Sequence, residues 1–318
     1  MKRRYILPLI VLLSSSCSQQ NFVLADRVFC FGPVAIDVTL FEGNKDDLKE
    51  IRNILEYYDK ISDNYLARDI TNIYTLNHTD ETVTVSSELY NLLKTSMEVT
   101  TEGAKYFNLL SGSLAKKWKE SLSNGQILPQ NEINIELEKL NNSSLTLYPN
   151  NMVKRSGESE IDLGGIAKGY ALDVIKDYLD SKEYKSYIIN AGSSSILLGE
   201  KNGGDGYFTV ETKEDYPGHY FKAKNCVVST SSNSRQGVTI DSVTYSHIIN
   251  PTTGGAITKY DAVIVLSESG YLGDALSTSL MNSTEEEIKV VEELCNVKVL
   301  TIKNGRIAYK SENFEIYG

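Results

Sequence analysis

Glu160-Ile161-Asp162-Leu163-Gly164-Gly165-Ile166-Ala167-Lys168-Gly169-Tyr170-Ala171-Leu172-Asp173 joins an apolar entry and a carboxylate to a glycine pair and a helical repeat. Ile166, Tyr170, Val174, Ile175, Tyr178 and Leu179 fall at i, i+4, i+8, i+9, i+12 and i+13, which is one face of a helix. Glycines at the start of a helix admit a ligand close to the backbone. The free N–H groups and the dipole of the first turn favour an anion such as phosphate, and Lys168 lies in that turn. An ordinary turn into a helix, kinked by glycine, accounts for the same pattern. GxxxxGK[ST] is absent because Lys168 is followed by Gly169 and Tyr170, and the glycines are spaced wrongly for GxGxxG.

Working outward, Tyr187-Ile188-Ile189 reads as a buried strand running into the hydroxyl-rich turn Asn190-Ala191-Gly192-Ser193-Ser194-Ser195. Strands with turn signals between them follow at 196–198, 207–211, 226–229, 243–249 and 262–266. A helix pair is predicted over 271–281 and 284–294, then strands over 297–302 and 307–310. Upstream, residues 27–41 alternate as strands around Gly32-Pro33. Helices are predicted over 45–61, 69–76, from Ser86 or Ser87 to 101, over 113–123 around Trp118, and over 130–140. Short strands at 145–147 and 152–154 complete the reading. Hairpin-like spacings in the second half imply α+β, a single domain over 28–318 with an antiparallel or mixed sheet flanked by helices; parallel α/β is the runner-up.

With 318 residues, 41% of them hydrophobic, the chain has ample material for a core. A formal net charge of -10 and no basic stripe argue against nucleic-acid binding. Twenty tyrosines against one tryptophan read mainly as amphipathic packing. Lys2, Arg3 and Arg4 precede the apolar run 5–13, which is too short to span a bilayer, and then Ser14-Ser15-Ser16 and Cys17. The expectation is a signal peptide over 1–16, lipidation of Cys17, a tether over 17–27, and anchoring to the outer face of a bacterial membrane. Simple cleavage is the plainer alternative. Cys30, Cys226 and Cys295 form no CxxC and read as small core residues. His78, His219 and His247 lack metal-ligand spacing.

Four segments place Gly, Ser, Thr, Asn and a charged residue at strand ends, where ligand contacts are built: 162–169, 190–195, 229–235 and 246–254. A fifth lies on a helix, Gly273-Asp274-Ala275-Leu276-Ser277-Thr278. There Asp274 and Thr278 stand at i and i+4 on one face. A carboxylate beside a hydroxyl suits a hard cation such as Mg²⁺, which keeps water or phosphate oxygens in the rest of its shell. Alone, the pair reads more simply as an acidic group at a helix start and a hydroxyl bonded back to a carbonyl.

Asp-Leu-Gly-Gly-Ile-Ala-Lys-Gly-Tyr-Ala, Asn-Ala-Gly-Ser-Ser-Ser, Ser-Thr-Ser-Ser, His-Ile-Ile-Asn-Pro-Thr-Thr-Gly and Asp-Ala-Leu-Ser-Thr-Ser-Leu occur here in order. Together they resemble the ApbE family of FAD:protein FMN transferases, from about residue 28 to the end. The resemblance implies an α+β fold and a Mg²⁺-dependent enzyme, often lipid-anchored outside the cytoplasmic membrane. Such an enzyme cleaves FAD at its pyrophosphate, leaves FMN on a Thr or Ser hydroxyl of a partner protein and releases AMP. Carried over by motif, Asp274 and Thr278 become side-chain metal ligands and Gly165 a ligand through its carbonyl. Asp162 and Lys168 touch the nucleotide. Tyr65 lies in a segment like the family's aromatic-bearing loop before a helix ending at Asn77, and Tyr106-Phe107-Asn108 resembles the adenine-side segment before Gly112. His247 becomes a proton acceptor or phosphate contact; bracing the Asn250-Pro251 turn is its plainer role. The chain departs from the family pattern at Phe31-Gly32-Pro33, Phe107-Asn108, Ser111-Gly112-Ser113, Gly192-Ser193 and Thr230-Ser231-Ser232 and keeps the metal motif. Two other activities share these residues: an FAD pyrophosphatase passing FMN to water, and a flavin- or solute-binding lipoprotein without catalysis. The acceptor is expected to be a separate protein, since 274–279 lacks an Ala-Thr ending.

Overall fold

The hairpin around Gly32-Pro33 starts the main sheet. β1 (Leu24–Cys30) pairs antiparallel with β2 (Val34–Leu40), and the turn places Phe31 and Gly32 at φ of 52° and 78°. The structure, a computed structural model, describes residues 23–212, 214–233 and 237–318. Residues 24–27, assigned to the tether on sequence, therefore belong to the sheet. Cys17 and the signal segment lie outside the described residues, as does Arg235.

α1 (Lys45–Ser62) begins where the Asn44 side chain accepts from the Asp46 and Asp47 N–H groups, and Asp46 and Asp47 complement the dipole of its first turn. α2 (Ile73–Asn77) starts later than the predicted 69. Asn72 caps it through Thr75 N at 3.1 Å and holds Leu66 O at 2.8 Å with its amide, which fixes the preceding stretch as a loop. β3 (Val83–Thr84) and α3 (Ser87–Glu98) follow. Ser86 caps α3, which ends short of the predicted 101 as the chain turns through Gly103 at φ 126°. α4 (Gly112–Ser123), α5 (Gln130–Asn141), β4 (Ser144–Tyr148) and β5 (Met152–Ser156) lead to α6 (Ala167–Ser181), the helix of the opening stretch.

The second half runs β6 (Tyr187–Ala191), β7 (Ser195–Leu198), β8 (Phe208–Glu211), β9 (Tyr220–Ala223), β10 (Cys226–Ser232), β11 (Val238–Ile240), β12 (Val243–Tyr245), β13 (Ala262–Ser267), α7 (Gly270–Leu280), α8 (Glu285–Cys295), β14 (Lys298–Lys303) and β15 (Arg306–Lys310). The strand predicted over 243–249 stops at Tyr245. Ser246 Oγ accepts from Ile248 N at 2.9 Å and the segment bonds to Ile257 instead. β3, β9 and β11 go beyond the sequence reading; all three are short, β11 pairs with β12, and β9 pairs with β8 and bridges to Tyr317 through Tyr220.

Eight strands form the main sheet in the order β1-β2-β6-β7-β10-β13-β14-β15, and every neighbouring pair is antiparallel. Parallel α/β is thus excluded. Strand alternation sorts side chains to two faces. Ile36, Val38, Ile189, Leu197 and Val227 bury against Ile51 and Leu55 of α1 and Leu172, Ile175 and Leu179 of α6. Val263, Val265 and Val299 meet Ala275, Leu276 and Leu280 of α7. The opposite face carries Leu198, Val228, Ile264 and Leu300 under Phe208, Phe221 and Phe314. Each fully buried aliphatic side chain of this kind contributes about 2 kcal/mol of transfer free energy. Cys30 is buried, whereas Cys226 and Cys295 are half-buried, and all three are free thiols.

Candidate active site

α6 and α7 cross at glycines. A Cβ on Gly169 would stand 2.0 Å from the Gly270 carbonyl oxygen, one on Gly270 would stand 2.3 Å from the Gly169 oxygen, and one on Gly273 would meet Ser229 Oγ at 2.9 Å. Asp173 of α6 caps α7, accepting from Gly270 N at 2.6 Å, Tyr271 N at 2.9 Å and Ser269 Oγ at 3.3 Å. Burial is the main cause that raises its pKa to about 6, against these three donors.

The close crossing delivers Asp274 to the backbone of α6. Its Oδ2 accepts from Gly169 N at 2.7 Å, and its Oδ1 accepts from Ser195 Oγ and Ser229 Oγ, both at 2.7 Å. Ser195 and Ser229 face each other in the β7–β10 register, so two strands and a helix converge on one carboxylate. Asp274 is 5% exposed. Burial raises its pKa, opposed by the positive charge of Lys168 and by the three donors.

Thr278 sits one turn further along α7. A Cβ on Gly165 would approach Thr278 Oγ1 to 3.1 Å and Phe107 to 3.3 Å, so glycine keeps this space open. Ser231 Oγ lies 3.0 Å from Ser277 Oγ and 3.5 Å from Thr278 Oγ1. Asp162 accepts from Gly164 N at 2.7 Å and shapes the loop that presents Gly165. Burial raises its pKa, while Gly164 N–H, Lys119 and Lys168 lower it. Asn77 closes the entry by exchanging hydrogen bonds with Ile161, giving to its oxygen at 2.9 Å and accepting from its nitrogen at 2.7 Å. Arg155, 7% exposed, donates to the oxygens of Leu76, Asn77, Gly157 and Ser159, tying α2 to β5 and to this entry.

Asp162, Gly165, Lys168, Ser195, Asp274 and Thr278 open onto one cleft of about 1710 Å³, whereas Asn77, Arg155 and Asp173 lie outside its lining. Tyr65, Tyr106, Phe107, Asn108 and His247 line it as well, whereas Asn77 does not, and the side chains contribute differently. Tyr65 is 63% exposed on a loop set by Asp63, which accepts from Tyr65 N at 2.8 Å and holds Arg68. Tyr106 donates its hydroxyl to Glu287 of α8 at 3.0 Å and its backbone N–H to Ser279 Oγ at 2.9 Å. Phe107 is buried in the core behind Gly165, and Asn108 folds onto Leu110 N at 2.9 Å. The β6–β7 turn takes left-handed φ at both Gly192 (66°) and Ser193 (64°), which is why a glycine pair suits this turn. Ser195 and Ser229 lie in segments that the sequence marks out, but no local pattern gives either a role. None singles out Asp173, Arg155 or Lys119.

His247 faces the cleft with Nδ1 buried and without a hydrogen-bond partner among the described residues. The turn at Asn250 is held by Asn250 itself, whose Oδ1 accepts from Thr252 N at 2.9 Å and Thr253 N at 3.1 Å. Burial, then the charges of Lys168 and Lys119, lower the His247 pKa from 6.5 to about 4, so the imidazole is neutral at pH 7. Because the folded pKa lies below the unfolded one, the stabilisation from keeping the ring neutral is complete above 6.5 and is lost as pH falls towards 4. Relative to His247→Gln, the wild type is expected to lose on the order of 1–3 kcal/mol between pH 7 and pH 4.5. Urea unfolding of both proteins at the two pH values measures this; equal pH dependence in the two would refute it.

The sequence profile described as the ApbE family matches residues 34–301. The chain belongs to the ApbE family. Among curated members, the FAD:protein FMN transferase of Vibrio cholerae is 30% identical over 288 residues, covering 84% of this chain and 81% of that protein. The enzyme of the same description from Chlamydia muridarum is 25% identical over 292 residues, covering 89% and 91%. The crystal structure of the ApbE protein of Thermotoga maritima superposes with a TM-score of 0.77 at 22% identity, over 91% of this chain and 97% of that one. The flavin transferase ApbE of Vibrio cholerae gives 0.72 at 23% identity, over 93% and 96%. The chain thus has the ApbE fold.

Proposed function

We propose that this ApbE protein transfers FMN from FAD to a Thr or Ser hydroxyl of a separate acceptor protein and releases AMP, with Mg²⁺ bound at the α6–α7 crossing. The observation that carries the proposal is Asp274, a buried carboxylate held by three donors beside Thr278 and the Gly165 gap. The donor set fits Mg²⁺: carboxylate, hydroxyl and the Gly165 carbonyl are all hard oxygens, and Asp274 Oδ2 accepts only one hydrogen bond from the described residues. When bound, the cation neutralises charge on the pyrophosphate.

The chain's own groups supply positioning and proton transfer, which are the main needs of phosphoryl transfer. Asp162 and the Gly164–Gly165 loop receive the nucleotide, and Lys168 presents positive charge to its phosphates. Neutral His247 accepts the proton of the incoming hydroxyl. The hydroxyl oxygen bonds to the phosphorus of the FMN half as the bond to the AMP phosphate breaks, so AMP leaves with the electron pair. The cleft exceeds the roughly 300–1,000 Å³ of a drug-sized site, leaving room for a dinucleotide and an acceptor segment. In this reading the chain works at the outer face of the cell membrane, held by lipid on Cys17.

Incubating the enzyme with FAD, Mg²⁺ and an acceptor domain is expected to add the mass of FMN to the acceptor and to release one AMP per modification. Free FMN and AMP with an unmodified acceptor would instead assign a pyrophosphatase. Intact FAD would leave only a flavin-binding protein.

A further inference from the structure

α4 carries three lysines around Trp118, and the helix rotation decides what each does. Trp118 is buried, donates Nε1–H to Gly254 O at 2.7 Å and stacks on Tyr245. That anchor turns Ala115, Lys119 and Leu122, at i−4, i and i+3, towards the cleft, which all three line. Lys116 reaches Glu160 at 3.5 Å and Lys117 reaches Glu132 at 3.7 Å. Lys119 alone of the three has no ion-pair partner among the described residues. Its Nζ lies 5.6 Å from the centre of the exposed Tyr65 ring, a cation–π contact across the mouth of the cleft. Of the carboxylates lining the cleft, Asp63 is engaged by Arg68 and Glu160 by Lys116.

We propose that Lys119 is a phosphate-binding residue of the cleft, holding the dinucleotide's pyrophosphate from the α4 side while Lys168 faces it from α6. This rests on the functional reading above. Both lysines line the same cleft as Asp274 and His247. The charge of Lys119 is felt with that of Lys168 at Asp162 and again at His247, so the two cations bracket one volume. Lys119 and Lys168 share the cleft with Asp162 and Asp274, and a polyanion entering between the two ammonium groups can draw on both. The Tyr65 ring then does double service: it holds the ammonium group in place and presents an exposed face at the mouth.

The test compares FAD with riboflavin, which has the same ring system and no phosphate. Flavin fluorescence titrations with wild type, Lys119→Ala, Lys119→Glu and Lys119→Arg measure both ligands. FAD binding is expected to weaken several-fold in Lys119→Ala and roughly tenfold or more in Lys119→Glu, and to be retained in Lys119→Arg. Riboflavin binding is expected to stay within about twofold throughout, and the FAD difference to narrow at high salt as charges are screened. Unchanged FAD binding, or equal losses for FAD and riboflavin, overturns the proposal. Lys119 is exposed, so the variants are expected to fold. If wild type modifies an acceptor while the Lys119 variants bind FAD normally, only this inference fails; if wild type neither binds nor cleaves FAD, the functional reading itself fails.

Discussion

Asp274→Asn is expected to lower kcat/KM for flavin transfer by on the order of 10³-fold or more, at nearly unchanged size and packing. The substitution removes the only charge that α7 brings to the crossing. It also disturbs the donors. The amide has one oxygen, which can satisfy Ser195 and Ser229 as Oδ1 does now, but its NH₂ then faces the Gly169 N–H that Oδ2 accepts at 2.7 Å. Rotating the amide instead turns NH₂ onto the two serines, which have free lone pairs, and is the cheaper choice. The protein is therefore expected to fold, with a change of a few kcal/mol at most, while the loss of activity is much larger. Thermal unfolding and turnover on the same preparation separate the two effects. Full turnover by a folded Asp274→Asn protein would sink the metal-centred mechanism.

The contrast with Asp173 shows how much of this site was legible beforehand. Asp162, Lys168, Asp274 and Thr278 stand in local patterns, a loop before a helix or i and i+4 on one helix, and such patterns survive in the linear sequence. All of them open onto the same cleft. Asp173 lies in the opening stretch as well, yet its partners are Ser269, Gly270 and Tyr271 at the start of α7. No local period marks that contact. Ser195 and Ser229 are a cross-strand pair set by a register between β7 and β10, with the β8–β9 hairpin between them in sequence. Register follows from which faces are buried and cannot be taken from one strand alone. Strand content and hairpin spacing made the antiparallel sheet legible. The order of its eight strands was not, because β13 joins beside β10 only after the β11–β12 hairpin, and β14 and β15 only after a helix pair. The ends of α2 and β12 shifted for a different reason: the side chains of Asn72 and Ser246 hydrogen-bond to backbone and end regular structure locally.

Gly169→Ala is expected to destabilise the fold by about 3–5 kcal/mol or to prevent folding, although alanine is the better helix former by about 1 kcal/mol. The methyl group would sit 2.0 Å from the Gly270 carbonyl oxygen and 2.4 Å from its carbon, and both of these are backbone atoms. Relief requires α6 and α7 to separate, because no side-chain rotation moves either contact. Separation lengthens the Gly169 N–H bond to Asp274 and the Asp173 cap on Gly270, so α7 would lose two anchors at once. Gly165→Ala offers the opposite case. Its methyl meets Thr278 Oγ1 at 3.1 Å and Phe107 at 3.3 Å, both of them side chains, and little needs to shift. That variant is expected to keep a melting temperature within a few degrees of wild type while losing most transfer activity, because the methyl fills the space beside Thr278 that the proposed function assigns to nucleotide and cation. Melting curves and turnover for the two variants give a crossed pattern, with stability lost in one and activity in the other. A Gly169→Ala protein that melts with the wild type would mean that the glycine crossing does not set the distance between the two helices.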